Sequence, residues 1–198
     1  MSDRALLARR AKPVAVVVLL AAGALVLLGT TQTWLSLAVA QTHGELEVAG
    51  SEAALLAQPL AIAVLALSLV LTLVGRVLRY VLGAVATAAG VGIFAAVLPV
   101  VTGPPVSSYA ATVTESTGLA GEEAISALVS AVTATGWPLT TLIASVVIVL
   151  GGAFVLVTAH AWQRGGRRFD ATHAKPSSGP VDPIDSWDEL SHGEDPTR

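Results

Sequence analysis

The chain has 198 residues, 54% apolar and 13% charged, with 18 Gly and no Cys, and its mean hydropathy is +0.72. Soluble domains carry roughly 25% charged residues, so an ordinary water-soluble globule is excluded, and the lack of Cys excludes disulfide frameworks, thiolate catalysis, zinc knuckles and Fe–S ligation. The formal net charge of −3 says little as a sum; where the charges sit says more.

Residues 1–12 form a basic arm carrying Arg4, Arg9, Arg10 and Lys12. The uncharged run that follows supplies a first membrane span over about residues 13–35, close to the ~20 apolar residues a bilayer crossing needs. A processing alternative takes Arg9-Arg10-Ala11-Lys12 as a basic n-region, Val14 to Leu28 as an h-region and Ala38-Val39-Ala40 as a signal-peptidase site. Gly29 to Leu37 would then be an unusually long c-region, and the remaining spans keep their orientation in either case.

The loop over residues 36–52 contains Glu45-Leu46-Glu47-Val48, whose period-two alternation predicts a strand and, with the turn residues before it, a small hairpin. Ser51 and Glu52 read as an N-cap and a first-turn carboxylate for a second span, residues 53–75. A third span, residues 80–101, is stopped by Pro99 and Gly103-Pro104-Pro105. Within the next loop, residues 102–137, Ile125, Leu128, Val129 and Val132 recur at i, i+3, i+4, i+7, which predicts an amphipathic helix on the membrane surface or over the bundle. Trp137-Pro138 opens a fourth span, residues 138–161. Its successor, residues 164–198, is rich in Pro, Ser, Gly and acid and is expected to be disordered.

The fold class these elements predict is an all-α membrane protein, a four-helix bundle with a small hairpin and an amphipathic helix outside the bilayer. A soluble protein would need four core helices with almost no polar shell. All eleven Lys and Arg fall in the N-terminal arm, at Arg76 and Arg79, or after residue 163. The other two loops hold Glu45, Glu47 and Glu52, and Glu115, Glu122 and Glu123. By the positive-inside rule both termini are cytoplasmic and both acidic loops face outward, in a multi-pass protein of the plasma membrane. Trp34 and Trp137 are expected as anchors at the outer interface, Tyr80 and Trp162 at the inner one.

Reactive chemistry is sparse. No Asp, Glu, Lys or Arg lies within the spans, which disfavours ion-coupled transport. Gln32 and Thr33 near the outer end of span one, with Gln58 in span two, form the only polar band that suggests a path, Gln58 being placed to bridge to Thr30 or Gln32. Other intramembrane Ser and Thr are read as bonding their own helix. His43, His160, His173 and His192 are scattered over both sides, and no metal-ligand spacing, phosphate loop or Ser-His-Asp grouping occurs; no metal, cofactor, nucleic acid or enzymatic activity is expected. The basic cluster Arg164, Arg167 and Arg168 suits anionic lipid. Small residues Ala84, Ala88 and Gly92, with Gly83, Thr87 and Gly90, and Ala144, Ile148 and Gly152 in span four, predict the bundle interior or a contact with another membrane protein, and a homo-oligomer is a further expected partner. In the tail, Ser186-Trp187-Asp188-Glu189 has capping-box spacing, and Ile184, Trp187 and Leu190 share one face of a short helix that would dock on a cytoplasmic protein partner or on the bundle's own inner face.

Several of these stretches together resemble a known family. They are Thr33-Trp34, Val48-Ala49-Gly50-Ser51-Glu52, Gly136-Trp137-Pro138, Trp162 with Gly166-Arg167-Arg168-Phe169-Asp170, and above all Trp187-Asp188-Glu189-Leu190 with Gly193-Glu194-Asp195-Pro196-Thr197. The chain resembles, over nearly its whole length, the actinobacterial tryptophan-operon-associated (tryptophan-biosynthesis-associated) membrane proteins; Phe169 stands where relatives often have Tyr. The resemblance implies genomic company with tryptophan synthesis and a plasma-membrane location, and it brings no accepted activity. The expectation is an accessory membrane protein acting through protein contacts, with a small facilitator or exporter of tryptophan or a related aromatic metabolite as the alternative.

Overall fold

A computed structural model describes residues 3–39 and 45–161. Their apolar helices pack in a ring in which each touches two neighbours. Helix α1 (Asp3–Thr30) lies against α3 (Ala57–Val70) and α7 (Trp137–Thr158), and α4 (Arg76–Thr102) lies against the same two. Three segments are long and apolar enough to cross a membrane, Lys12–Thr30, Val77–Thr102 and Trp137–Thr158, while Ala57–Val70 is shorter. Outward-facing Val17, Leu69, Val77, Leu150 and Val157 are all more than half exposed, as expected of helices whose outer surface meets lipid.

The tightest crossing joins α4 to α7. A Cβ on Gly152 would stand 2.7 Å from the Thr87 backbone nitrogen and 3.0 Å from the Gly83 carbonyl oxygen, and one on Gly90 would stand 2.9 Å from the Val149 nitrogen. Only glycine permits backbones this close. Gly83, Thr87, Gly90 and Gly152 therefore pack inside the bundle, whereas Ala84 and Ala88 of the same helix face outward.

Two spans differ from the sequence expectation. The apolar run predicts the first to residue 35, yet α1 stops at Thr30, where the hydroxyls of Thr30 and Thr31 donate to the Leu27 and Leu28 carbonyls (2.8 Å each). β-branched Thr in succession favours leaving the helix, and strand β1 (Thr33–Val39) follows. The second is expected as one helix over residues 53–75. Instead a single turn, α2 (Gly50–Ala53), is separated from α3, and a further turn follows Val70. Pro59 favours the break, having no N–H for the Leu55 carbonyl and a ring that crowds it, although α1 and α4 run through Pro13 and Pro99. Ser51 lies within α2 rather than capping it; the cap position is Ala49. The 14 residues of α3 rise only about 21 Å, but the segment containing them is longer. Gly50 N–H donates to the Gln32 carbonyl at 3.0 Å, beside the end of α1, and the Thr72 carbonyl accepts from Lys12 Nζ at 2.6 Å, beside its beginning. Residues 50–72 thus span the same height as Lys12–Thr30.

At the end where α1 finishes, a three-stranded antiparallel sheet of order β2-β1-β3 caps the bundle. β1 pairs with β2 (Glu45–Ala49), Leu35 opposite Val48 and Leu37 opposite Leu46. On its other side β1 pairs with β3 (Val129–Ala134), Leu35 opposite Ala134 and Leu37 opposite Val132. The amphipathic helix expected through Val132 is therefore corrected: α6 covers only Glu122–Leu128, and the chain then becomes strand. Val129 and Val132 satisfy either period, and the free edge of β1 settles the choice by offering partners for the whole segment. Ser130 and Thr133 hydroxyls add bonds to the Ala38 and Ser36 carbonyls (2.9 and 3.0 Å). Helix α5 (Ala110–Thr117) packs on β2 and is tied to α2 by Thr112 Oγ1 donating to Glu52 Oε2 at 2.6 Å. Leu35, Leu37 and Val48 belong to one buried apolar cluster with Tyr109, Val113 and Ile125.

Candidate functional site

The join between sheet and bundle is built on Trp34. Its ring is fully buried, its Nε1 donates to the Gly29 carbonyl at 2.8 Å, and its own carbonyl accepts from Thr135 N–H at 2.9 Å. Gly50 lies so near that a Cβ there would overlap the indole. The expected interfacial anchor is thus a core residue. The reason is register: Trp34 is the second residue of a strand, not the last turn of a helix, so its side chain turns back into the bundle. Trp137 does open α7, half-buried, and Tyr80 sits exposed one turn into α4. Trp162 lies outside the described residues.

Beside this join a cleft of about 580 Å³ opens between the end of α1 and the start of α7. Leu25, Gln32 and Thr33 form one wall, and Thr135, Gly136, Trp137 and Thr140 the other. The volume falls in the usual range for small-molecule sites, roughly 300–1,000 Å³. Its hydroxyls are already committed as donors: Thr33 Oγ1 to Glu47 Oε2 (2.9 Å), Thr135 Oγ1 to the Thr33 carbonyl (2.8 Å) and Thr140 Oγ1 to the Gly136 carbonyl (3.0 Å). Gln32 donates through Nε2 to Thr31 Oγ1 at 3.2 Å. Gln32 and Thr33 therefore meet in one site, but Gln58 does not line it. Among the described residues no hydrogen bond joins Gln58 to Thr30 or Gln32; Thr30 is turned back to Leu27. Sequence reasoning missed Thr135, Gly136 and Thr140, although Thr135-Gly136 directly before Trp137-Pro138 marks a turn that places their side chains at the helix entrance.

Along the bundle axis Leu19, Val64, Ile93, Ile148 and Val155 are fully enclosed. Buried polar groups there mostly serve their own helix: Ser68 Oγ donates to the Val64 carbonyl and Ser145 Oγ to the Leu142 carbonyl. Thr141 Oγ1 is the exception, buried with no hydrogen-bond partner and pressed toward Gly29. At the end opposite the sheet, Lys12 meets Thr72 and Arg79 is buried with Nε donating to the Val74 carbonyl at 3.2 Å. All six described carboxylates beyond the first turn of α1, Glu45, Glu47, Glu52, Glu115, Glu122 and Glu123, lie in the sheet-end elements. The proposed docking residues Ile184, Trp187 and Leu190 lie outside the described residues.

A model of the tryptophan-associated transmembrane protein family matches residues 16–197, in agreement with the resemblance carried by the motifs. No curated protein and no solved structure matches the chain.

Proposed function

The chain belongs to the family of tryptophan-associated transmembrane proteins, and from that premise we propose that it is a four-pass accessory protein of the plasma membrane, non-enzymatic, acting through protein contacts in association with tryptophan biosynthesis. The observation that carries the four passes is strand pairing. β1 follows α1 and β3 precedes α7, and they pair, so both lie on one side of the bilayer. Because α4 separates them and crosses once, residues 50–72 must supply a compensating crossing. Their extent, bonded to Gln32 at one end and to Lys12 at the other, supports this despite the brevity of α3, which a bilayer accommodates by local thinning. The carboxylates of the cap, set against Lys12 and Arg79 at the other end, support a cap that faces outward and termini that are cytoplasmic.

Contacts rather than conduction are supported by the filled axis: fully enclosed aliphatic side chains occupy the centre and the sheet closes the outer end. The inner contact is assigned to Ile184, Trp187 and Leu190. Crosslinking in cells should lose a specific cytoplasmic partner on Trp187→Ala with Leu190→Ala; an unchanged set of partners would overturn the docking assignment. The facilitator alternative rests on the polar cleft and needs a route between copies of the chain. Labelled tryptophan flux through liposomes bearing the purified protein should equal that of empty liposomes, and a reproducible excess would replace the accessory reading with the alternative.

A further inference from the structure

The outer cleft has a polarity that goes beyond the accessory role. Three of its threonines have spent their single proton on protein acceptors, so toward the cleft they offer lone pairs only. Among the described residues no Lys or Arg lines it, and the Glu47 carboxylate stands one hydrogen bond behind Thr33. The start of α7 would ordinarily favour an anion, but here it is blunted. The Trp137 N–H is directed at Thr135 Oγ1 (3.4 Å) and Pro138 has no N–H, which leaves the Leu139 N–H as the one orphan donor of the first turn. On the facing wall α1 ends, and its last carbonyls likewise accept bonds, Leu27 from Thr30, Leu28 from Thr31 and Gly29 from Trp34, so neither helix end dominates the cleft. Trp137 provides an aromatic ring and Leu25, 41% exposed, an aliphatic one-sided floor.

We propose that this cleft is a binding site for a primary ammonium group carried on an apolar body, the ammonium directed at Gln32, the threonine oxygens and the field of Glu47, and the body resting on Leu25 and Trp137. A cation near an indole face is further stabilised by the ring quadrupole. Such a group is found both on aminophospholipid headgroups and on free amphipathic amines.

The test uses the full chain in neutral maltoside micelles, with 2-phenylethylamine as probe in isothermal titration. Saturable binding is expected, weakened about threefold to tenfold by Glu47→Gln and by Trp137→Leu. Neutral 2-phenylethanol and anionic phenylacetate should bind at least about tenfold more weakly. Thr140→Val, at a half-exposed position, gives a second variant that should lower affinity without altering the fold, checked by thermal unfolding. Displacement of the probe by short-chain phosphatidylethanolamine but not by phosphatidylglycerol would assign the lipid headgroup as the source, and displacement by neither would assign a free amine. Equal binding of the alcohol, tighter binding of phenylacetate, or no effect of Glu47→Gln and Thr140→Val would overturn the proposal.

Discussion

The bundle and its cap obey different rules, although both are built from Val, Ala, Leu and Thr. In the bundle each backbone group bonds within its own helix, so a long apolar run determines the outcome locally and glycines decide how closely helices approach. In the cap, β1 leaves hydrogen-bonding edges that distant segments must fill, so the conformation of Val129–Ala134 depends on residues about a hundred positions earlier in the chain. The bundle is therefore specified by composition, the cap by pairing, and Trp34 joins the two.

Substitutions can separate these two modes. The largest effect is expected at the join: Trp34→Ala removes a fully buried indole and its bond to Gly29 and should cost about 3–5 kcal/mol, seen as a large drop in thermal unfolding temperature of the purified protein; a drop no greater than at a surface site would mean that cap and bundle are independent. Within the bundle, Gly152→Ala should cost about 1–3 kcal/mol by forcing α4 and α7 apart, and Gly136→Ala, where nothing lies within 4 Å of an added Cβ, should cost far less. Within the cap, Thr133→Ala removes one exposed bond to β1, so a loss of about 0.5–1.5 kcal/mol is expected, together with faster amide hydrogen exchange confined to β1 and β3. The smallest effect has the opposite sign: Thr141→Val replaces an unpartnered buried hydroxyl with a methyl of similar shape and should raise stability by up to about 1 kcal/mol; a destabilised variant would show that the hydroxyl has a role in the bundle.

This contrast also explains what could be read from the sequence. Hydropathy and the Pro and Gly stops located the end of α4 and the start of α7 to within one residue and their other ends to within three or four, because membrane helices are determined by local composition. The hairpin was legible in Glu45-Leu46-Glu47-Val48, since alternation is itself local. β3 was not, because Val129 and Val132 fit periods of two and of 3.6, and only the edge of β1 decides between them. The break before α3 was legible in Pro59 but was outweighed by the length of the apolar run. For the cleft, Gln32 and Thr33 could be picked out as polar residues in an apolar setting. Thr140 stands out in the same way but reads as bonding its own helix, which it does through the Gly136 carbonyl; what brings it and Thr135 opposite Gln32 is the same long-range pairing that forms β3. Trp34 illustrates the error most clearly: an aromatic at the end of an apolar run suggests an interface, and one change of secondary structure turned it into the core.

The most direct test of the four-pass account is cysteine labelling in intact cells, for which the Cys-free chain needs no prior engineering. Ser107→Cys, exposed in the sheet-end elements, should react with a membrane-impermeant maleimide from outside, whereas Gly75→Cys and Ser191→Cys should react only after permeabilisation. Labelling of Gly75→Cys from the same side as Ser107→Cys would contradict the crossings by residues 50–72 and by α4, and with them the four-pass account.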